Sequence, residues 1–229
     1  MSEYQFYEFR AIDKALTSEE MEIIGSWSSR AEPTRRGVTF TYSYGDFPGD
    51  STQVVKEYFD AMFYIANWGT KRLIFKFPSE LVNVPEIAVY TNAYLTIEDE
   101  QQHVIIELSL EEEEGVGWVE EEEMLDELIA LRQDIIDGDY RCLYLSWLKY
   151  AVDDVSSEWG ELDPDIPEPV VPPGLNDLSD ALSKFVAYFE IDKDIIEVAA
   201  RMSTPLEPKA EIDFSSAIAQ LTEDQKNDW

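Results

Sequence analysis

The sequence has one cysteine and one histidine, and it has few basic residues. Cys142 alone excludes an internal disulfide. It lies among apolar residues of a helical stretch, where a thiol packs as a small apolar side chain. His103 alone rules out a histidine-rich zinc site and leaves any Ser-His-Asp triad to itself. Its place beside a hairpin turn favours plain solvent exposure. No apolar run approaches the roughly 18–20 residues of a membrane span. The opening MSEYQFYEFRAIDK has neither a basic n-region nor an apolar h-region, so no signal peptide is expected. Together these features favour a cytoplasmic protein. The chain also lacks a phosphate loop, a GxGxxG, a CxxC, an HExxH, a GxSxG and any repeat of fixed period.

The shortage of basic residues is uneven along the chain. Lys and Arg number 17 against 49 Asp and Glu, a formal net charge of −32. Residues 1–82 hold nine basic and twelve acidic side chains, a balance of −3. Residues 83–229 hold eight and thirty-seven, a balance of −29. Such a surface repels nucleic acid and anionic membrane, and it attracts basic partners or divalent cations. It also serves solubility. Forty-nine acids make any pairing of carboxylates for catalysis arbitrary at this stage.

What is abundant is aromatic. Six Trp, twelve Tyr and eleven Phe, with 45% apolar residues overall, belong to a folded chain with a real core. The central stretch is Gly37–Pro78. Val38, Phe40, Tyr42 and Tyr44 alternate with polar residues, which predicts a strand. GDFPGD supplies a turn, and Asp50 or Ser51 an N-cap. Residues 51–68 carry Val54, Val55, Tyr58, Phe59, Met62, Phe63 and Ala66 at three- and four-residue spacing. That predicts one long helix ended by Gly69, a left-handed cap. Leu73, Phe75 and Phe77 then mark a second strand, and strand–helix–strand implies a right-handed crossover to a parallel neighbour. Trp68 and Arg72 sit at the helix–strand corner, within reach of a ligand. Core packing accounts for the other aromatics.

Before this unit, YQFYEFRAI predicts an opening strand, and Thr17 with Glu20 forms a capping box for a helix carrying Met21, Ile24 and Trp27. Arg30, Arg35 and Arg36 are three arginines in seven residues, expected to pair with nearby acids rather than to hold an anion. After Pro78, SELVNVPEIAVYTNA predicts a loop with one short strand, EIAVY. A hairpin follows: Tyr94–Ile97, a polar turn over Glu98–Gln102, and His103–Leu110. Glu111–Glu114 and Glu120–Glu123 bracket GVGWV. The second run opens a helix with Met124, Leu128, Leu131 and Ile135 on one face, closed by Gly138. YRCLYLSWLKYAVDDV predicts a helix apolar all round, central in a helical layer or at an interface. Five prolines between Pro164 and Pro173 exclude helix and central strand. Asp163 and Asp165 within that stretch lack the glycine and terminal glutamate of a calcium loop. Beyond it come a helix capped by Asn176 or Asp177, with Leu178, Leu182, Phe185 and Phe189 inward, and another with Ile195, Ala199 and Met202. FSSAIAQLTEDQKNDW predicts a last helix without a terminator, as if the natural chain ran on past Trp229.

YEFRAIDKALT (Tyr7–Thr17), SSRAE (Ser28–Glu32), YGDFPGD (Tyr44–Asp50) and YFDAMFYIANWGTKRL (Tyr58–Leu73) give residues 4–78 a resemblance to an uncharacterised family of bacterial proteins. The resemblance implies a bacterial source. It implies no chemistry and carries no residue role.

The fold expected is α+β: a mixed sheet of about five strands with two helices, followed by an acidic, mostly helical C-terminal half. The expected organisation is a sheet domain over 1–110, a helical segment packed on it over 111–160, a Pro-rich acidic linker or loop over 161–175, and a helical subdomain over 176–229. The function expected is a non-enzymatic interaction or regulatory module that docks a basic protein partner, with no cofactor, no direct nucleic-acid binding and no membrane. The acids and the aromatics beside them supply the candidate contacts: Trp68, Arg72, Trp118, Glu120, Glu121, Trp159, Asp163 and Asp165. The alternatives are a divalent-metal-dependent enzyme with Asp/Glu ligands and a nucleic-acid mimic.

Overall fold

The computed structural model describes residues 3–43, 45–111, 124–156 and 168–206. The expected α+β class holds, with a six-stranded antiparallel sheet between helical layers. The strands are β1 (Gln5–Arg10), β2 (Gly37–Tyr42), β3 (Ala61–Ala66), β4 (Thr70–Pro78), β5 (Leu95–Glu100) and β6 (His103–Glu111), in the order β2-β1-β3-β4-β6-β5. Every pairing is antiparallel, so the expected parallel crossover is absent from this sheet.

The reason lies in residues 51–68. The helix that starts there, α2 (Ser51–Tyr58), is capped by the Asp50 carboxylate, which accepts from the N–H groups of Thr52 and Gln53. It stops after two turns, and Phe59 is already extended. Ala61–Ala66 is then a strand, not a continuation of the helix. A continuous apolar run fits a buried helix and a buried strand equally well. Tertiary packing decides for the strand, because β3 lies between β1 and β4 with all six residues buried. Phe63 and Ile65 enter the core on one face, and Met62 and Tyr64 the core on the other. Asn67-Trp68-Gly69 therefore forms the β3–β4 hairpin. Gly69 does take a left-handed backbone, at φ 110°, but as a turn residue.

Helix α1 (Ser18–Gly25) has the predicted capping box. Thr17 Oγ1 accepts from the Glu20 N–H at 3.2 Å, and Glu20 Oε2 accepts from the Thr17 N–H at 2.7 Å. Together α1 and α2 cover one face of the sheet, through Ile24, Val55 and Phe59 against Phe9, Phe40, Met62 and Ile74. The other face is covered by α4 (Met124–Leu128), α5 (Ala130–Ile136), α6 (Arg141–Ser156), α7 (Asp180–Tyr188) and α8 (Lys193–Ala200), with a shorter helical turn α3 (Val84–Ile87). The apolar cluster on this face runs without a break from Phe63, Phe75 and Leu108 to Leu131, Leu145, Phe185 and Phe189. Helix α6 is buried from Arg141 to Leu148, as its all-round apolar sequence implied.

Three further local expectations change. EIAVY is helical, within α3 and the 3₁₀ turn Ala88–Tyr90, since Pro85 suits the first turn of a helix. The 124–136 helix is broken at Ile129. Helix α7 is capped by Ser179, whose Oγ accepts from Leu182 N–H, while the chain ahead of it turns so that Arg141 donates to the carbonyls of Gly174 and Asp177. The helix expected over FSSAIAQLTEDQKNDW lies outside the described residues.

Candidate functional site

Several charged side chains sit in or beside the core, and each is answered by a partner. Asp60, between α2 and β3, accepts from the N–H groups of Ile12 and Asp13 at 2.7 and 2.9 Å and lies 3.3 Å from Lys76 Nζ. Lys76 also donates to the Val55 carbonyl near the end of α2. Arg132 of α5 grips Asp13 through both terminal nitrogens, donates to the Lys76 carbonyl, and lies over the Phe77 ring at 5.1 Å. This group ties the two helical layers together at one end of β4. Glu8, fully buried, accepts from the Leu125 N–H at the start of α4 and pairs with Arg10, which also holds Asp126. Lys71, fully buried on β4, donates to Glu190 after α7. Arg36, expected to meet local acids, donates instead to the carbonyls of Ala11 and Ile12. These arrangements hold the fold.

Two buried tyrosines, Tyr7 and Tyr64, donate to the same Gln5 oxygen at 3.0 and 3.1 Å. Burial raises both hydroxyl pKa values, so both stay neutral donors. Gln5 in turn donates to Asp46 and the Gly45 carbonyl, pinning the loop before α2 to the sheet. Cys142 is buried against apolar neighbours, and burial raises the pKa of its thiol. His103 begins β6, opposite Glu100 and Pro78.

Two small cavities lie among the described residues. One of about 20 Å³ lies between the sheet and α5–α7, lined by Leu73, Phe75, Ile106, Leu143 and Phe185 among others. A second of about 40 Å³ lies between α6 and the start of α8, beside Asp153 and Asp192. Volumes of this size suit one or two waters rather than an organic substrate. Among the described residues, no group of three or more His, Cys, Asp or Glu side chains is arranged to hold a metal ion.

Two of the eight predicted contact residues fall within the described chain. Trp68 is 44% exposed at the tip of the β3–β4 hairpin, where its Nε1 donates to Thr70. Arg72 is half-buried. Its Nε donates to Glu107, Nη1 to Ser51 and Nη2 to Thr52, a latch between β4, β6 and the start of α2. Trp118, Glu120, Glu121, Trp159, Asp163 and Asp165 lie outside the described residues.

A surface that the sequence reading missed is the outer edge of the sheet. Glu98–Gln102 was expected to be a turn, but β5 extends through Glu100 and only Gln101 and Gln102 turn the chain. Gln101 accommodates the tight turn with φ 54°. Glu98, Asp99 and Glu100 are consecutive and exposed on the outermost strand. Glu98 and Glu100 share a face with Lys56 of α2, which donates to them at 2.9 and 2.7 Å. Those bonds raise the Lys56 pKa, Glu100 contributing more than Glu98. On the opposite face Ile97 reaches the core and Tyr94 donates to Asp153 of α6. The signal that could have revealed the extension of this strand past Ile97 is its other arm, the long run His103–Leu110, whose pairing back across a two-residue turn reaches Glu100 first. Compared with family models, with curated proteins and with solved structures, the chain matches none.

Proposed function

We propose that this chain is a non-enzymatic interaction module that docks a basic protein partner through its acidic surface. The supporting observation is the run Glu98-Asp99-Glu100, exposed on a strand that closes one side of the sheet. The run belongs to the sheet, and it opens the stretch 83–229, whose sequence carries a balance of −29. Basic side chains approaching such an edge gain long-range attraction, which speeds association and makes it salt-sensitive. The same field disfavours nucleic acid and anionic lipid. No helix of the described chain is long and apolar enough to cross a membrane. The single, buried cysteine is compatible with a reducing compartment, which supports reading the module as cytoplasmic.

The test is a comparative capture from native lysate, with wild type and the triple variant Glu98→Gln/Asp99→Asn/Glu100→Gln as baits at low salt. The expected result is a basic protein retained by wild type, released by about 0.5 M salt, where screening acts within a few ångströms, and lost from the triple variant. Equal retention by both baits, or retention indifferent to salt, refutes the reading.

A further inference from the structure

We infer that the basic partner binds as an added β-strand along the free edge of β5. This rests on the docking reading above and specifies the form the partner takes.

The ladder fixes which backbone groups face outward. Ser109 donates to the Tyr94 carbonyl, and the register pairs Thr96 with Glu107, Glu98 with Ile105 and Glu100 with His103. In an antiparallel ladder hydrogen-bonded pairs alternate with pairs that turn their N–H and C=O away. Thr96, Glu98 and Glu100 therefore bond to β6, and Leu95, Ile97 and Asp99 face outward. Leu95 is already served locally: its N–H donates to Asn92 Oδ1 and its carbonyl accepts from the Asn92 N–H, each at 3.0 Å. Ile97 and Asp99 are left with outward donors and acceptors, and among the described residues no strand lies beyond them.

An open strand edge recruits another strand, and charges along it decide which. A second copy is disfavoured, because two such edges would bring Glu98, Asp99 and Glu100 against their own counterparts on chains of net charge −32. A foreign strand with lysine or arginine beside those carboxylates meets attraction instead. Glu98 and Glu100, with side chains 54% and 46% exposed, remain open to it although Lys56 touches both. On the other face the added strand passes Ile97, which is only half-buried, and then the exposed Asp99 near the strand's end, so an apolar side chain fits opposite Ile97. The occupant is therefore an extended segment in which basic and apolar residues alternate.

The experiment uses the full chain and two labelled eight-residue peptides of equal charge, one alternating lysine and valine, the other lysine and proline. Proline removes half of the donors and cannot complete a ladder. Fluorescence anisotropy at low salt is expected to show the lysine–valine peptide binding about tenfold tighter or more, the worth of one or two net hydrogen bonds. Asp99→Pro removes an outward N–H without taking a bond from β6, and it should erase that margin, whereas Asp99→Asn should keep it. Amide exchange supplies a readout that needs no variant: the Ile97 and Asp99 N–H groups should become protected when the lysine–valine peptide binds. Equal binding of the two peptides, or a margin untouched by Asp99→Pro, or unprotected amides in the bound state, overturns strand addition and leaves basic docking standing. Failure of both peptides to bind overturns both readings.

Discussion

Replacing Asp60 by alanine tests the account of what ties the layers together. Its carboxylate is nearly buried, with 9% of the side chain exposed. One oxygen accepts two backbone N–H groups, and the other faces the Lys76 ammonium. Alanine leaves the Ile12 and Asp13 donors without their acceptor, at about 1–3 kcal/mol for each donor that water cannot reach. It also leaves Lys76 with the Val55 carbonyl but no counter-charge, and breaking a buried pair from one side costs about 3–5 kcal/mol. These losses share atoms and do not add, so the expected total is about 3–5 kcal/mol. A domain has about 5–15 kcal/mol to lose, so the variant should fold but unfold at clearly lower denaturant. Asp60→Asn keeps the oxygen that accepts from Ile12 and Asp13 but turns an NH2 toward Lys76, so it should cost less than alanine by about 1–3 kcal/mol, the worth of the backbone donors it still satisfies. The assay is urea unfolding followed by tryptophan fluorescence, with the slope checked for constancy so that the midpoint shift reads as stability. An alanine cost under about 1 kcal/mol, or equal costs for alanine and asparagine, would refute the reasoning. The carboxylate would then be dispensable to the 12–13 turn.

The thiol of Cys142 should react with a disulfide reagent only as fast as the chain unfolds, because burial both shields it and raises its pKa. Rapid labelling of the native chain would contradict the packing of α6. At α1, Thr17 holds the Glu20 carboxyl below its ordinary pKa, first through its backbone N–H and then through its hydroxyl. A lowered folded-state pKa gives stability that is present above the unfolded value of about 4.3 and lost as pH falls through the folded one. The stability gap between wild type and Glu20→Gln should accordingly shrink in acid, and a gap constant down to about pH 2 would contradict the capping box.

The features legible in the sequence are those whose cause is local. The Thr17–Glu20 box and the Asp50 cap need only neighbouring residues, and both formed where the residue types put them. Residues 61–66 were illegible for the opposite reason. AMFYIA is apolar at every position, so it carries no period, and what makes it a strand is β4, next in the chain, on one side and β1, up to 61 residues away in sequence, on the other. Helix α8 shows the same limit at finer grain. Ile195 and Ile196 are both apolar, and a turn of about 100° separates them. The sequence favoured the Ile195–Ala199–Met202 side, yet the structure buries Ile196 and Ala200 and leaves Met202 largely exposed.

Charge behaves likewise. Counting acids located an excess over 83–229 but could not say which acids share a surface. EDEQQ looks like a polar turn because three acids in succession suit solvent, and they do reach solvent. Only the register with β6 shows that they reach it from a strand, alternating between a face shared with Lys56 and a face that contains Ile97. The same acids that face solvent thus lie along unpaired backbone groups, and on the strand-addition reading proposed above a sheet edge so lined would repel its own kind and admit a basic strand. On that reading solvation of the acids and selectivity for a partner follow from one placement, and the variants that separate them are those that alter the backbone donor at Asp99 without altering the acids around it.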